Sequence, residues 1–146
     1  MQITIQAFDN LRDAKPIIEI RTAVFMLEQG FTEEFDAIDK VAQHLLLSVN
    51  ARPAACCRIF PDQDEAGSWI LGRIAVIREL RGLGLGEAML GAALSFIGQK
   101  TGAQKVKLAA QLQAQGFYEK FGFKPVGEVF YEETCPHQWM ELRVQA

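Results

Sequence analysis

The stretch Gly72-Arg-Ile-Ala-Val-Ile-Arg-Glu-Leu-Arg-Gly-Leu-Gly-Leu-Gly86 decides the fold. Its first half is apolar apart from Gly72 and Arg73, and extends a run from Trp69 to Ile77 that reads as a strand inside a sheet. Behind it stand three glycines, 82, 84 and 86, and then a helical run to Lys100 with Leu85, Met89, Ala93 and Ile97 on one stripe. A strand, a glycine turn and a helix therefore follow one another directly. Glycine reaches positive φ and lets a ligand approach the backbone. The first N–H groups of a helix lack partners within it, and its dipole places about half a positive charge there. Arg81 and the nearby Arg78 add cations, so a diphosphate is the ligand such a turn suits best. Taken alone, the same glycines could simply make a tight connection. A P-loop is excluded, because Glu87 and Ala88 follow the last glycine where Lys and Ser or Thr would be needed. A dinucleotide fingerprint is excluded too. The spacing is G-x-G-x-G, and the next strand ends Leu108-Ala-Ala-Gln111 with no carboxylate for a ribose.

Working outward, the residues from Met1 to Phe8 alternate as a half-buried strand. Ile17, Ile18, Arg21, Val24, Phe25 and Glu28 recur at helical spacing, with Asp9 or Asn10 as the cap, Pro16 early and Gly30 at the end. An acidic loop over 32–39 leads into a short helix near 40–43. Strands follow at 45–50 and 54–60, joined by a hairpin turn at Ala51-Arg-Pro53. After the central strand and helix come a strand at 105–110, a helix at 113–121, and strands at 123–131 and 138–144. Antiparallel hairpins precede one strand–helix–strand crossover, which makes two parallel neighbours. The expectation is one α/β domain over residues 1–146, built on a mixed sheet.

The composition excludes several classes. The chain has 146 residues, 49% of them hydrophobic and 23% charged, enough apolar mass for one core and too little charge for disorder. A net charge of −3 gives no field to hold a nucleic-acid backbone. No apolar run approaches the ~20 residues of a membrane span, and the N-terminus lacks a signal-peptide pattern. Cys56, Cys57 and Cys135 make no disulfide framework or metal-ligand spacing. A reduced cytoplasmic protein, without metal, nucleic-acid or membrane partners and either monomeric or homodimeric, is expected.

Two blocks carry a resemblance. Arg81-Gly-Leu-Gly84-Leu-Gly86 resembles motif A of the GNAT-type N-acetyltransferases, R/Q-x-x-G-x-G/A. Gln111-Leu-Gln-Ala114-Gln-Gly-Phe117-Tyr118-Glu-Lys-Phe-Gly122-Phe123 resembles the same family's N-x-x-A-x-x-F-Y-x-x-x-G-F element, with Gln in place of the usual Asn. The segments 21–29, 34–39, 42–45 and 136–137 are similar to its ElaA-like branch, so the likeness covers nearly the whole chain. It implies a six- or seven-stranded mixed sheet, splayed where the central parallel strands part to admit acetyl-CoA. Backbone amides of Ile74, Ala75 and Val76 would then pair with the pantetheine arm, and the Val76 N–H or its neighbour would polarise the thioester carbonyl. Amides of Arg81, Gly82, Leu83, Gly84, Leu85 and Gly86 would hold the pyrophosphate. Gln111 would meet the pantetheine, Phe117 would pack on the cofactor, and Tyr118 would stand near the sulfur.

Acetyl transfer to an amine needs a neutral amine, a polarised carbonyl and a proton for the leaving thiolate. Tyr118 suits the last task, since a phenol with pKa near 10 stays protonated where a thiol, near 8.5, begins to ionise. Its alternative is a core aromatic beside Phe117 and Phe121. Many relatives place a carboxylate on the strand before the glycine turn, but here the only charge on that strand is Arg73. Glu28 is the leading replacement as base, acting through water, and His137, between Pro136 and the last strand where loops border the acceptor pocket, is a second candidate. Asp36 and Asp39 bind a cationic acceptor, cap the short helix, or simply belong to a solvated acidic loop. His44 reads as structural, Cys135 as no nucleophile, and Cys56 and Cys57 as packing residues on opposite faces of a strand. The resulting expectation is an acetyl-CoA-dependent N-acetyltransferase acting on a small-molecule or peptide amine by direct attack. The rival is a non-catalytic acyl-CoA-binding sensor or interaction module, favoured by the missing carboxylate.

Overall fold

The computed structural model describes residues 1–144. Seven strands, β1 (Ile3–Phe8), β2 (Gln43–Val49), β3 (Arg52–Pro61), β4 (Ser68–Val76), β5 (Lys105–Gln111), β6 (Lys124–Glu132) and β7 (Cys135–Arg143), form a mixed sheet in the order β1-β2-β3-β4-β5-β7-β6. Three α-helices accompany them: α1 (Lys15–Arg21), α2 (Leu85–Lys100) and α3 (Gln115–Glu119). The sheet reaches the larger of the two expected strand counts, and β4 and β5 are the parallel pair. The chain forms two compact units. One comprises Met1–Phe60 and Leu71–Phe96, the other Pro61–Ile70 and the chain from Ile97 onward.

In the first unit β1 and β2 pair antiparallel, from Ile3 opposite Val49 to Phe8 opposite His44. The β2–β3 hairpin turns on Asn50 (φ 48°) and Ala51 (φ 68°), not on the expected Ala51-Arg-Pro53. Two positive φ values match the right-handed strand twist in a two-residue turn. Pro53 lies instead inside β3, where the register shifts, because it has no N–H for the ladder. α1 is not capped by Asp9 or Asn10. Asn10 Oδ1 accepts from Asp13 N–H (3.0 Å), and the helix opens after Ala14 with Pro16 in its first turn. One face of this unit's core packs Ile17, Ile20, Val24 and Phe25 on Leu46, Cys56 and Ala75.

The helical periodicity predicted up to Glu28 does not continue as α-helix. From Thr22 to Glu28 the chain winds as a π-helix, and Gln29 N–H donates to Val24 O, five residues back, at 3.1 Å. The short helix expected near 40–43 is a 3-10 turn at Ala37–Lys40.

In the second unit Ser68, Trp69 and Ile70 of β4 pair with Lys105, Val106 and Lys107. Along β5 the buried Val106, Leu108 and Ala110 alternate with half-buried neighbours, as a period of two requires. β5 pairs antiparallel with β7 from Lys105 opposite Arg143 to Gln111 opposite His137. β7 begins at Cys135, three residues before the expected start, which puts His137 inside a strand.

Candidate active site

The glycine turn stands where the sequence puts it, in the first unit. After β4 a 3-10 turn, Arg78–Leu80, leads to Gly82 (φ +81°) and Gly84 (φ +78°), and α2 opens at Leu85. Side-chain-bearing residues would be strained at both glycines. A Cβ placed on Gly82 would meet nothing within 4 Å, so the backbone there faces open space. Ala88 N–H makes the first α2 bond, to Gly84 O at 3.1 Å, so the amides of Leu85, Gly86 and Glu87 precede any intrahelical bond. That is the geometry of an anion cradle.

Arg81 departs from the expectation. Its backbone N–H donates to Arg78 O (3.3 Å), which takes it out of the set of free amides. Its side chain does not offer a spare cation either. Nε donates to Val76 O (3.1 Å), while Nη1 and Nη2 form a fork on Glu28 Oε2 (2.5 Å) and Oε1 (2.7 Å). The guanidinium holds the Glu28 carboxyl below its usual range. This corrects the reading of Glu28 as general base: a carboxylate clamped on arginine is a weaker proton acceptor. Glu28 is the last residue of the π-helix.

At Asp36 and Asp39 the capping alternative holds and the substrate-binding one does not. Asp36 caps the 3-10 turn, accepting from Ile38 N–H, and Asp39 completes the box by accepting from Asp36 N–H. Both carboxylates also meet arginines. Asp39 binds Arg21 (2.7 Å) and Arg58 (2.9 Å), and Asp36 binds Arg58 (2.7 Å). Glu34 joins the cluster through Arg21 (2.8 Å) and Arg73 (2.9 Å). Burial works to raise the Asp39 carboxyl, but Arg21 first, then the Asp36 amide and Arg58, bring it down to about 2. At Glu34 burial dominates over Arg73 and Arg21, and the carboxyl is raised. Three guanidinium groups thus balance three carboxylates, and Asp39, only 7% exposed, is not open to a substrate cation. Beside the cluster an open pocket of about 520 Å³ is lined by Met26, Thr32, Glu33, Glu34, Phe35 and Asp36.

Sequence reasoning missed Arg21, Glu34, Arg58 and Arg73 as a unit. One signal was present: Arg21 falls on the same helical stripe as Ile17 and Val24, a core-facing position that only a paired arginine tolerates. Arg73, at φ 51° within β4, donates from Nη2 to Glu34 O at 3.1 Å.

Ile74, Ala75 and Val76 end β4 in the first unit, and the remaining expected residues belong to the second. Tyr118 lies in α3, 7% exposed, with its ring edge-on to Phe117 (centroids 5.1 Å apart) and to Phe123 (6.1 Å). Phe117 is half-buried. Gln111 ends β5, opposite His137 in the ladder, and its Oε1 accepts from Gln113 Nε2 (2.6 Å). His137 is not on a pocket-side loop as expected but buried in β7. Its Nδ1 is 2.9 Å from Cys135 O, its Nε2 3.5 Å from Glu132, and its ring stacks on Phe130. Cys56 and Cys57 are buried, free and strongly shifted upward by burial, Cys56 to about 12, as packing thiols are. Among the described residues no group of three or more His, Cys, Asp or Glu is arranged to hold a metal ion. Among the same residues no helix is long and apolar enough to cross a membrane.

Comparison with known proteins decides the family. Residues 16–144 match the family described as Acetyltransferase (GNAT) domain. The chain belongs to the GNAT family. Among its GNAT relatives, protein ElaA of Escherichia coli (strain K12) is 32% identical over 131 residues, covering 88% of this chain and 86% of the relative. The crystal structure of Escherichia coli ElaA superposes with a TM-score of 0.85 at 29% identity, over 96% of this chain and 99% of that one. An acyl-CoA N-acyltransferase from Pseudomonas aeruginosa superposes equally well, TM-score 0.85 at 26% identity, over 96% and 99%. The likeness spans the GNAT glycine turn and the Phe117-Tyr118 block alike.

Proposed function

We propose that the chain is an acetyl-CoA-dependent N-acetyltransferase that acylates a primary amine of a small molecule or peptide by direct attack. The observation that carries this reading is the glycine turn at the head of α2, with two positive-φ glycines and a helix start opening to solvent. The amides of Gly82, Leu83, Gly84, Leu85 and Gly86 bind the diphosphate. Ile74, Ala75 and Val76, on the part of β4 beyond its pairing with β5, receive the pantetheine arm and polarise the carbonyl. Preorganised donors of this kind are worth roughly 3–4 kcal/mol in acyl transfer. Gln111 and Phe117 complete the cofactor's surroundings. The amine nitrogen attacks the thioester carbon, the carbon–sulfur bond breaks, and Tyr118 gives its proton to the sulfur. With Glu28 committed to Arg81, the base is His137. The amine must lose a proton to attack, and His137, with Nδ1 2.9 Å from Cys135 O and Nε2 3.5 Å from Glu132, is the side chain assigned to take it. The pocket at residues 26–36 is the place for the acceptor.

Exchanging Tyr118→Phe should lower turnover about a hundredfold, within the range for a lost acid, with the Kd for acetyl-CoA unchanged. Unchanged turnover removes the assigned acid. The rival, an acyl-CoA-binding module without catalysis, is favoured by one observation: Glu28, Glu34, Asp36 and Asp39 are all paired with arginine. Thiol release from acetyl-CoA across a panel of amines separates the two, since a binding module releases none.

A further inference from the structure

Glu28 and Arg81 form a bidentate pair at a site where its stability contribution is small. The side chains are 29% and 40% exposed, and exposed ion pairs of this kind contribute little to folding. The pair's other consequence is local geometry. Arg81 Nε donates to Val76 O at 3.1 Å, while the N–H of the same peptide, on Ile77, donates to Ala54 O at 2.9 Å. The last peptide of β4 is therefore held at both ends, by the side chain of Arg81 and by β3. A free arginine side chain samples many rotamers, and a single Nε bond at a solvent-facing site does not select one. The fork on Glu28 does, because two parallel bonds fix the guanidinium plane as well as its place.

We infer that Glu28 is a positioning residue: it orients Arg81 so that Nε pins the Val76 carbonyl, and thereby sets the β4 terminus whose amide polarises the thioester. The inference rests on the proposed acetyl transfer and replaces the role of base at position 28 with one exerted through another side chain. It also assigns the Arg81 guanidinium to the protein's own backbone rather than to the diphosphate. The Lys variant at 81 keeps the charge but has neither the fork nor Nε, and the charge swap restores an ion pair without restoring the bond to Val76.

The test uses acetyl-CoA labelled with carbon-13 at the thioester carbonyl, bound to the full chain, with the carbonyl stretch read by infrared difference spectroscopy and affinity read by calorimetry. In the wild type the stretch should move to lower frequency than in water. In Glu28→Gln, Arg81→Lys and the double variant the shift should fall by about half and to the same extent, because one linkage is broken in each. The Kd for acetyl-CoA should stay within about twofold, and the swap Glu28→Arg with Arg81→Glu should not rescue the shift. Circular dichroism of each variant establishes that it is folded, and the exposure of both side chains makes that the expected outcome. Three results overturn the inference while leaving the functional reading intact: an undiminished shift in the variants, rescue by the swap, or a tenfold weaker Kd in Arg81→Lys, which makes Arg81 a phosphate ligand. Failure of the wild type to bind acetyl-CoA overturns the functional reading itself.

Discussion

Two of the arginine–carboxylate arrangements in the first unit do opposite work. At Arg21, Arg58 and Arg73 the charges are buried or half-buried among Glu34, Asp36 and Asp39, and every bond ties α1, β3 or β4 to the segment 34–39. At Arg81 and Glu28 the pair is open to water and ties a side chain to a backbone carbonyl at the end of β4. Removing a partner from the first arrangement strands a charge in a place water does not reach, whereas removing one from the second lets water take over. The comparison separates scaffold from site: acidic residues that look like a substrate subsite in the sequence are the mortar of the fold, and the exposed pair is the one with access to a ligand.

The comparison is broken or sharpened most strongly at Arg21. Arg21→Ala leaves Glu34 and Asp39 without their shortest partner bonds and should cost about 3–5 kcal/mol in chemical denaturation. A loss under 1 kcal/mol would mean the cluster is not a scaffold.

A smaller effect is expected at Asp39 and has a pH signature. Its folded pKa of about 2 lies below the ordinary value of 3.8, so the stabilisation is fully present above pH 4 and is lost as pH falls toward 2. The size is on the order of 2 kcal/mol. Glu34, raised by burial, works in the opposite sense, favouring the fold below its ordinary pKa and losing that contribution as pH rises. Stability measured from pH 7 to pH 2 should therefore fall less steeply in Asp39→Asn than in wild type. Parallel curves would contradict the assigned shift.

The smallest effect is at Glu28, where Glu28→Gln should leave the unfolding midpoint unchanged. A large drop there would erase the distinction between the two arrangements.

How much of this was readable in the residues follows the same division. Features set by local chain chemistry were legible: the glycine turn, the apolar stripe of α2, the alternation of β5, and the parallel crossover that joins β4 to β5. So was the family, because both of its motifs are continuous in sequence. Features set by tertiary partners were not. The π-helix has no periodic signature of its own, so residues 22–28 scan as ordinary helix until Glu28 is seen clasping Arg81. Arg58 lies in β3 and Asp36 in a loop, and nothing in the spacing of 22 residues announces their bond. His137 seemed to border a loop because Pro136 suggests a break, yet proline is tolerated at the first residues of a strand, and β7 starts before it.

The central claim is that the bend from Gly82 to Gly86 receives the diphosphate of acetyl-CoA. Its most direct test is a titration of acetyl-CoA into nitrogen-15-labelled protein, following the backbone amide resonances. The account predicts saturable shifts that are largest at Gly82, Gly84, Leu85 and Gly86. Saturable shifts elsewhere with these four unmoved, or no saturation at all, would contradict it.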